Sequence, residues 1–332
     1  MNRESAGSPP SSKARRWVVP GLALLTLALV LLSLFASASG IGLPGRAARL
    51  ILLEIRVPRT ALAFLVGGAL GLTGAVLQGY LRNPLAEPGL IGISGGAGLG
   101  AVLAIHSGLA AAMPLALPLG GLAGAFLATL AVLLIAGERG GTLTLILAGV
   151  AVSSFASALI SGILAVSQNP FAAVEIIYWL LGSLADRSLT HLWLAGPFIV
   201  AGAALLMRTA PALDALTLGE DVATNLGVDT RRLRFVIVGG AALAVGAATA
   251  VAGAIGFVGL VVPHLLRPLT GQQPSRLLVA SFLGGASLVL AADIGLRLLA
   301  PAGELRLGVV TALVGTPFFL WLVIRTRREF SS

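Results

Sequence analysis

Apolar segments follow one another along almost the whole chain, and short stretches with charges, proline or glycine separate them. About twenty apolar residues cross the hydrocarbon core of a bilayer as one helix. The pattern therefore predicts an all-α, polytopic membrane domain over residues 15–332. We predict ten spans, near residues 17–38, 60–80, 92–107, 114–136, 142–166, 191–208, 233–252, 254–270, 277–297 and 306–324.

The N-terminus allows two interpretations. Residues 1–14 are rich in serine and proline, which is typical of a disordered tail. Arg15-Arg16, the apolar run after it and the small residues at 36–38 together imitate a secretory signal with its cleavage site. The apolar run is about twenty residues long, however, whereas a signal core has about 7–15. We therefore predict a retained first helix behind a cytoplasmic tail.

Composition narrows the possible functions. The chain is 57% hydrophobic and 11% charged, and it has no cysteine, which excludes disulfides and thiolate chemistry. Its single lysine is Lys13, so a glycine-rich phosphate-binding loop that ends in Lys-Ser/Thr cannot occur, and we predict that the chain does not hydrolyse ATP. The three histidines are far apart in sequence, and we predict no metal site and no cofactor.

Charge placement predicts the orientation. The net charge of +9 comes almost wholly from arginine. With an even number of spans and the N-terminus inside, most Lys and Arg residues fall on the cytoplasmic side, as the positive-inside rule requires. We predict that both termini are cytoplasmic, and we regard nucleic-acid binding as a poor explanation of the charge.

Two segments in the halves of the chain resemble each other. Residues 64–75 and 236–247 share glycines at equivalent positions, at an offset of 172 (236 minus 64). The predicted topology gives them opposite directions, so the pattern indicates an inverted repeat of the kind found in transporters. The alternative is that these glycines only permit close helix packing.

Residues 211–230 form the most informative polar stretch. Thr217 and Glu220 have the spacing of a capping box, and Leu218, Val222 and Leu226 recur at helical spacing. Gly227 is typical of a helix terminator. We predict a short amphipathic helix on the cytoplasmic side. Its apolar face would contact either a partner protein, the membrane surface or the bundle itself.

A second stretch, residues 81–89, contains Pro84 and Pro88 and joins the second and third spans. Proline cannot donate a helical hydrogen bond. We predict a re-entrant or interfacial loop there instead of a helix.

These segments, with others in the same order, resemble the FecCD-type permeases, the membrane subunits of ATP-binding cassette importers for ferric siderophores, haem and vitamin B12. The resemblance runs from about residue 50 to residue 324. It is carried by the segments 56–59 (Arg-Val-Pro-Arg), 78–89, 92–97, 218–227 (Leu-Gly-Glu-x-x-Ala-x-x-Leu-Gly), 256–267, 292–297 and 308–319.

The resemblance implies a homodimer in the bacterial inner membrane, two separate ATPase subunits below it and a periplasmic binding protein above it. It implies that a coupling loop inserts in a groove of the ATPase through Leu218, Gly219, Glu220, Asp221, Ala223, Leu226 and Gly227. It also implies that three outer arginines pair with acidic residues of the binding protein: Arg56, Arg59 and Arg297. The alternative for these arginines is local pairing, with Glu54 near Arg56 and with Asp293 four residues before Arg297.

Further residues are candidates for the pathway or for a gate: Gln78, Asn83, Pro84, Pro263, His264 and Thr316. Gln78, Asn83 and Thr316 could line the pathway or only hydrogen-bond between helices. His264 lacks a nearby second ligand in the sequence, which favours a structural or gating role over metal binding. Residues 169–187 resemble the family's short outer helix after the fifth span.

We expect an iron chelate, a ferric siderophore or haem, as the cargo, because Arg306 adds positive charge near the outer mouth. Vitamin B12 is the alternative within the family. An ion-coupled secondary transporter is the alternative from another class, but the predicted spans leave acidic residues at span ends or in loops. The spans contain no motif of an intramembrane enzyme.

Overall fold

The structure is a computed structural model that describes residues 12–37, 40–42, 48–137, 140–299 and 305–330. Most of the predicted disordered tail, residues 1–11, lies outside the described residues, and the first helix begins at Ser12.

The described chain is helical apart from loops and one small hairpin. Two-residue strands, β1 (Ala36–Ser37) and β2 (Gly40–Ile41), pair antiparallel after the first helix. A π-helical turn, Leu52–Arg56, precedes α3, and a 3-10 turn, Pro88–Ile91, precedes α4. The helices are α1 (Ser12–Phe35), α2 (Ala48–Ile51), α3 (Val57–Tyr80), α4 (Ile93–His106), α5 (Leu109–Ala112), α6 (Ala116–Ala136), α7 (Thr142–Val166), α8 (Pro170–Leu180), α9 (Leu189–Met207), α10 (Ala210–Leu216), α11 (Glu220–Asn225), α12 (Thr230–Ala252), α13 (Val258–Leu266), α14 (Pro274–Leu299) and α15 (Leu307–Phe330).

The prediction of an all-α, polytopic membrane protein is confirmed. Among the described residues, seven helical segments are long and apolar enough to span a bilayer, and α4, α8 and the first part of α15 are shorter apolar helices. Each of the ten predicted spans coincides with a helix. The eighth is a special case, because α13 has 9 residues and so reaches only about 14 Å.

The eighth predicted span, 254–270, is therefore a short helix with irregular chain before Val258 and turns after Leu266. Gly253 and Phe257 have φ angles of +71° and +66°, which lie outside the helical region. The break is held by a neighbouring loop, since the Ser183 amide donates to the Ala252 carbonyl oxygen at 2.7 Å. Irregular backbone is tolerated at membrane depth only where protein or water satisfies its polar groups.

Small residues bring the central helices into backbone contact. A side chain at Gly67 or Gly71 of α3 would collide with Ser281 or Gly285 of α14. Glycines on both α4 and α6 bring that pair together in the same way: Gly96, Gly100, Gly120 and Gly124. Such small-residue contacts replace the hydrophobic driving force that helices lack in lipid.

The packing is similar in the two halves of the chain. Helix α3 packs against α13 and α14, and α12 packs against α4 and α6. The predicted repeat pairs the second, third and fourth spans (α3, α4 and α6) with the seventh, eighth and ninth (α12, α13 and α14). The first helix of each triplet therefore packs against the second and third helices of the other triplet. The repeated glycines themselves are not equivalent, because Gly67 touches α14 whereas a side chain at Gly239 would meet nothing within 4 Å.

The bundle has two distinct ends. At one end, the coupling face, α10 lies beside the start of α14 and packs against α11, and Arg15 of α1 contacts Gly271. At the other end, the arginine face, Arg56 and Arg297 lie near the β-hairpin. Helix α1 runs between the two ends and bonds to its neighbours, Thr26 with Ser287 and Ser33 with Thr60. These contacts favour its retention as the first helix.

Candidate functional site

The coupling segment, residues 211–230, contains two short helices instead of one. Thr217 ends α10, and its hydroxyl donates to the Asp214 carbonyl oxygen at 2.7 Å. The N-cap of α11 is Gly219, with φ of +114° and no side-chain cap. The predicted capping box of Thr217 and Glu220 is therefore wrong. The helix starts after Gly219, whose backbone conformation is one that only glycine tolerates well.

Gly227 ends α11 as predicted. Its φ is +88°, its amide donates to the Thr224 carbonyl oxygen at 2.9 Å, and the Val228 amide donates to that of Ala223 at 3.0 Å. This pair of bonds is a Schellman motif, which satisfies carbonyl groups at the helix end.

The segment presents a mixed apolar and acidic surface. Leu218 and Leu226 are each 64% exposed and Val222 is 43% exposed, whereas Ala223 is fully buried. Glu220 and Asp221 are also exposed, in the first turn of α11. Ala223 thus anchors α11 to the bundle, while the acids of α11 and the leucines that flank it remain available to a partner.

Helix α10 ties this surface to the spanning helices. Asp214 accepts a hydrogen bond from the Ser275 amide, at the start of α14, at 2.9 Å. Arg82, just after α3, donates to the Leu216 carbonyl oxygen at 3.1 Å. A displacement of the coupling segment would therefore act on both α3 and α14.

The loop after α3 was predicted to be re-entrant or interfacial instead of helical, and in the structure it is irregular and folds back along α3. A side chain at Gly259 would meet both Pro88 and the carbonyl oxygen of Leu70. Leu70 lies ten residues before Tyr80, the last residue of α3, so it stands about 15 Å along the helix from its end. Pro88 thus lies beside α3 about 15 Å back from the end of that helix, which is half of a hydrocarbon core of roughly 30 Å.

Glu87 is carried to this depth by the same loop. The Phe257 amide donates a hydrogen bond to its carboxylate. Glu87, Gly256 and Phe257 border a small cavity of about 100 Å³, where the breaks before α4 and α13 meet. The predicted spans place this carboxylate in a loop at a span end. The two prolines beside it were the signal that could have placed it deeper.

Gln78 links the end of α3 to α13. Its amide nitrogen donates to the carbonyl oxygens of Gly259 and Leu260 at 3.3 Å, and its amide oxygen accepts from Arg267 at 2.7 Å. The side chain is 2% exposed. Gln78 therefore hydrogen-bonds between α3 and α13, and its side chain does not face an open pathway.

The other candidate pathway residues are spread over different elements. Asn83 is half-buried and accepts from the Leu85 amide at 2.9 Å, whereas Pro84 is exposed. Pro263 is buried inside α13, and half-buried His264 meets Phe318 edge-on, with ring centroids 5.8 Å apart. Thr316 is exposed on α15. The described residues contain no group of three or more His, Cys, Asp or Glu side chains that could hold a metal.

The arginine face is built around one carboxylate. Asp293, 1% exposed, accepts hydrogen bonds from Arg59 at 2.7–3.2 Å and is also paired with Arg297. Arg297 donates further to the Ser33 carbonyl oxygen at 2.9 Å. The local pairing with Asp293, the alternative for Arg297, is thus present in the structure.

Arg56 also forms its hydrogen bonds within the chain. Its guanidinium donates to the carbonyl oxygens of Leu34 and Gly42 at 2.9 and 2.8 Å, and the residue is 5% exposed. The bond to Gly42 was not expected, because the sequence offered Glu54 as the local partner. Among the three arginines, Arg59 is the most accessible, with 20% of its side chain exposed.

Comparison with known proteins decides the family. The model of the FecCD transport family matches residues 19–325. The chain belongs to the FecCD transport family. The vitamin B12 import system permease protein BtuC of Klebsiella pneumoniae is 41% identical to this FecCD chain over 320 residues, 95% of each chain. BtuC of Escherichia coli is 40% identical over 318 residues, 94% of this chain and 96% of the relative.

A solved structure shares the fold of this FecCD protein. It is described as a metal-chelate type ABC transporter in an inward-facing conformation. The TM-score is 0.85 at 31% identity, over 93% of this chain and 99% of the solved chain. The protein is therefore the permease subunit of an ATP-binding cassette importer, and ATP hydrolysis belongs to a separate subunit.

Proposed function

We propose that this permease works as a homodimer in the inner membrane and imports a metal chelate, with the coupling face in the cytoplasm. The observation that carries the proposal is the exposed surface of α10 and α11, where Leu218, Val222 and Leu226 lie beside two acidic residues. A chain without a phosphate-binding loop needs an ATPase partner, and this surface is where that partner would bind.

The contacts of α10 suggest how movement passes to the spans. The ATPase would shift α11, and the bonds of Asp214 and Leu216 would carry the shift to α14 and α3. Helix α3 reaches α13 through Gln78. The two broken helices would then separate at Glu87 and Phe257, since such changes repack discrete elements more readily than they deform them.

The arginine face is the proposed docking surface for a substrate-binding protein. Arg56, Arg59, Asp293 and Arg297 together carry three positive charges and one negative charge, a net of +2. Arg59 is the group that an acidic partner would reach first. The buried Arg56 and Arg297 would act mainly through their charge, which raises the association rate with an acidic protein.

For the cargo, the similarity to the two BtuC vitamin B12 permeases favours vitamin B12. An anionic iron chelate is the second candidate, and a pair of arginines at the same end of the bundle as the arginine face favours it. Arg306 lies over the ring of Tyr178, 4.8 Å from the centroid. Burial lowers the pKa of the nearby Arg187 guanidinium. The carboxylate of Asp186 raises that pKa, and the positive charge of Arg306 lowers it.

The coupling proposal is tested with Leu226→Asp and Glu220→Arg in the complete importer, reconstituted in liposomes with its ATPase. We expect both variants to lose most of the transport and of the ATPase stimulation, because the apolar contact and the acidic charge are removed. Gln273→Arg, an exposed position on the same face outside the coupling segment, serves as the control and should transport normally. Normal transport by the two coupling variants would sink the proposal.

The cargo is tested separately, through thermal unfolding of the partner binding protein. A ligand that binds the folded state raises the melting temperature. We expect the larger rise with cobalamin than with haem or a ferric siderophore. A rise with an iron chelate alone would favour the second candidate and leave the coupling proposal untouched.

A further inference from the structure

A groove opens at the coupling face between the end of α9 and the start of α12. Two adjoining cavities of about 510 and 550 Å³ share four lining residues: Leu205, Asp229, Arg232 and Val236. Arg208 lines the second cavity, and the exposed Phe235 lines the first. Together the cavities form one groove, which we call the α9–α12 groove.

The α9–α12 groove is polar at one end and apolar at the other. Arg208 and Arg232 are exposed and lie at the termini of α9 and α12. Val236 lies six residues into α12 from Thr230, or about 9 Å along the helix axis. The groove therefore runs from guanidinium groups at the end of the bundle to apolar side chains within the candidate membrane spans of α9 and α12.

The charges at the polar end favour an anion. Arg208, Arg231 and Arg232 oppose one acid, Asp229, which leaves a net charge of +2. The Asp229 carboxylate is already engaged, because it accepts a hydrogen bond from the Arg232 amide at 3.0 Å. Guanidinium groups bind phosphate through paired hydrogen bonds.

We propose that the α9–α12 groove binds an anionic phospholipid, with its phosphate between Arg208 and Arg232 and its acyl chains along Leu205, Phe235 and Val236. A soluble anion would use only the guanidinium groups and leave the apolar end empty. A soluble protein partner would not reach side chains that lie below the water boundary. A phospholipid matches both ends, and basic pockets between spans on the cytoplasmic side have the chemistry for such headgroups.

The position gives the lipid a functional consequence. The chain between α9 and α12 is the coupling segment itself, so a lipid in the groove would hold the two ends of that segment together. Ala212 of α10 and Gly227, which ends α11, also line the second cavity. Anionic lipid would therefore stabilise the arrangement of α10 and α11 that the ATPase meets.

The test uses the purified full chain in a neutral detergent, without the ATPase. Phosphatidylglycerol, phosphatidylcholine and inorganic phosphate are titrated in turn, and bound lipid is counted by native mass spectrometry. We expect phosphatidylglycerol to bind in preference to phosphatidylcholine, and the double variant Arg208→Gln/Arg232→Gln to lose about tenfold or more in affinity. The charge-matched control is Arg16→Gln/Arg276→Gln, two exposed arginines at the same end of the bundle. It should keep the affinity of the parent.

A third variant tests whether a loss of lipid binding comes from the lost charge or from misfolding. Arg208→Lys/Arg232→Lys keeps the positive charges and should retain most of the binding if the glutamine variant loses it. Equal losses in the groove and control variants, no preference for phosphatidylglycerol in the parent, or full competition by millimolar inorganic phosphate would each overturn the proposal. The last result would identify a site for a free anion.

Discussion

Asp293 joins three helices at the arginine face. It lies on α14, pairs with Arg59 of α3 and fixes Arg297, which in turn bonds to Ser33 at the end of α1. A buried carboxylate is costly unless charged hydrogen bonds compensate it. Here the guanidinium groups of Arg59 and Arg297 compensate the charge of Asp293. Both groups would lose their acidic partner if Asp293 were replaced.

We expect Asp293→Asn to destabilise the folded protein by about 2–4 kcal/mol, because buried ion pairs lose about 3–5 kcal/mol when one partner is removed and Arg59 is partly exposed. Thermal unfolding in detergent measures this loss. Asp221→Asn makes the same chemical change at an exposed position and should leave the melting temperature unchanged. Equal melting temperatures for Asp293→Asn and the parent would show that the cluster does not hold the helices.

At the scale of elements, the close pairs of helices depend on positions without side chains. Gly285 of α14 lies against the Gly67 carbonyl oxygen of α3, and an added methyl group would collide with backbone that cannot move aside. Gly295, on the same helix, has open space around it. The two glycines therefore separate the packing effect from the helix propensity of the residue.

We expect Gly285→Ala to destabilise the protein by about 1–3 kcal/mol, the usual cost of overpacking. Gly295→Ala should be neutral or stabilising by up to about 1 kcal/mol, since alanine favours a helix over glycine. Melting temperatures of both variants in one detergent check the pair. If the two substitutions had the same effect, the contact between α3 and α14 would not limit stability.

At the scale of the whole molecule, the two ends of the bundle should face different compartments. The chain has no cysteine, so a single introduced cysteine reports its own accessibility without background. Gln168 and Asn225 are exposed at opposite ends of the bundle, before α8 and in α11. They test the proposed orientation directly.

In intact spheroplasts, we expect a membrane-impermeant maleimide to label Gln168→Cys and to leave Asn225→Cys unlabelled until the membrane is permeabilised. The cysteine-free parent is the control for nonspecific labelling. The reverse pattern would place the coupling segment outside, and would contradict both the positive-inside assignment and the proposed contact with an ATPase.

Sequence alone determined the membrane class, the irregular chain in the loop at 81–89 and the end of α11 at Gly227. Each of these follows from local chemistry: apolar length, proline without an amide hydrogen, or glycine with a positive φ angle. The capping box at Thr217 was also a local prediction, and it was wrong because the chain turns at Gly219.

Only the tertiary structure decided which partners the polar groups find across the bundle. Arg59 and Asp293 are 234 residues apart, and Gln78 and Arg267 are 189 apart. The depth of Glu87 likewise depends on where the loop packs against α3 and α13. A charge in lipid must be compensated by whatever the fold brings to it, and no pattern of neighbouring residues names that partner.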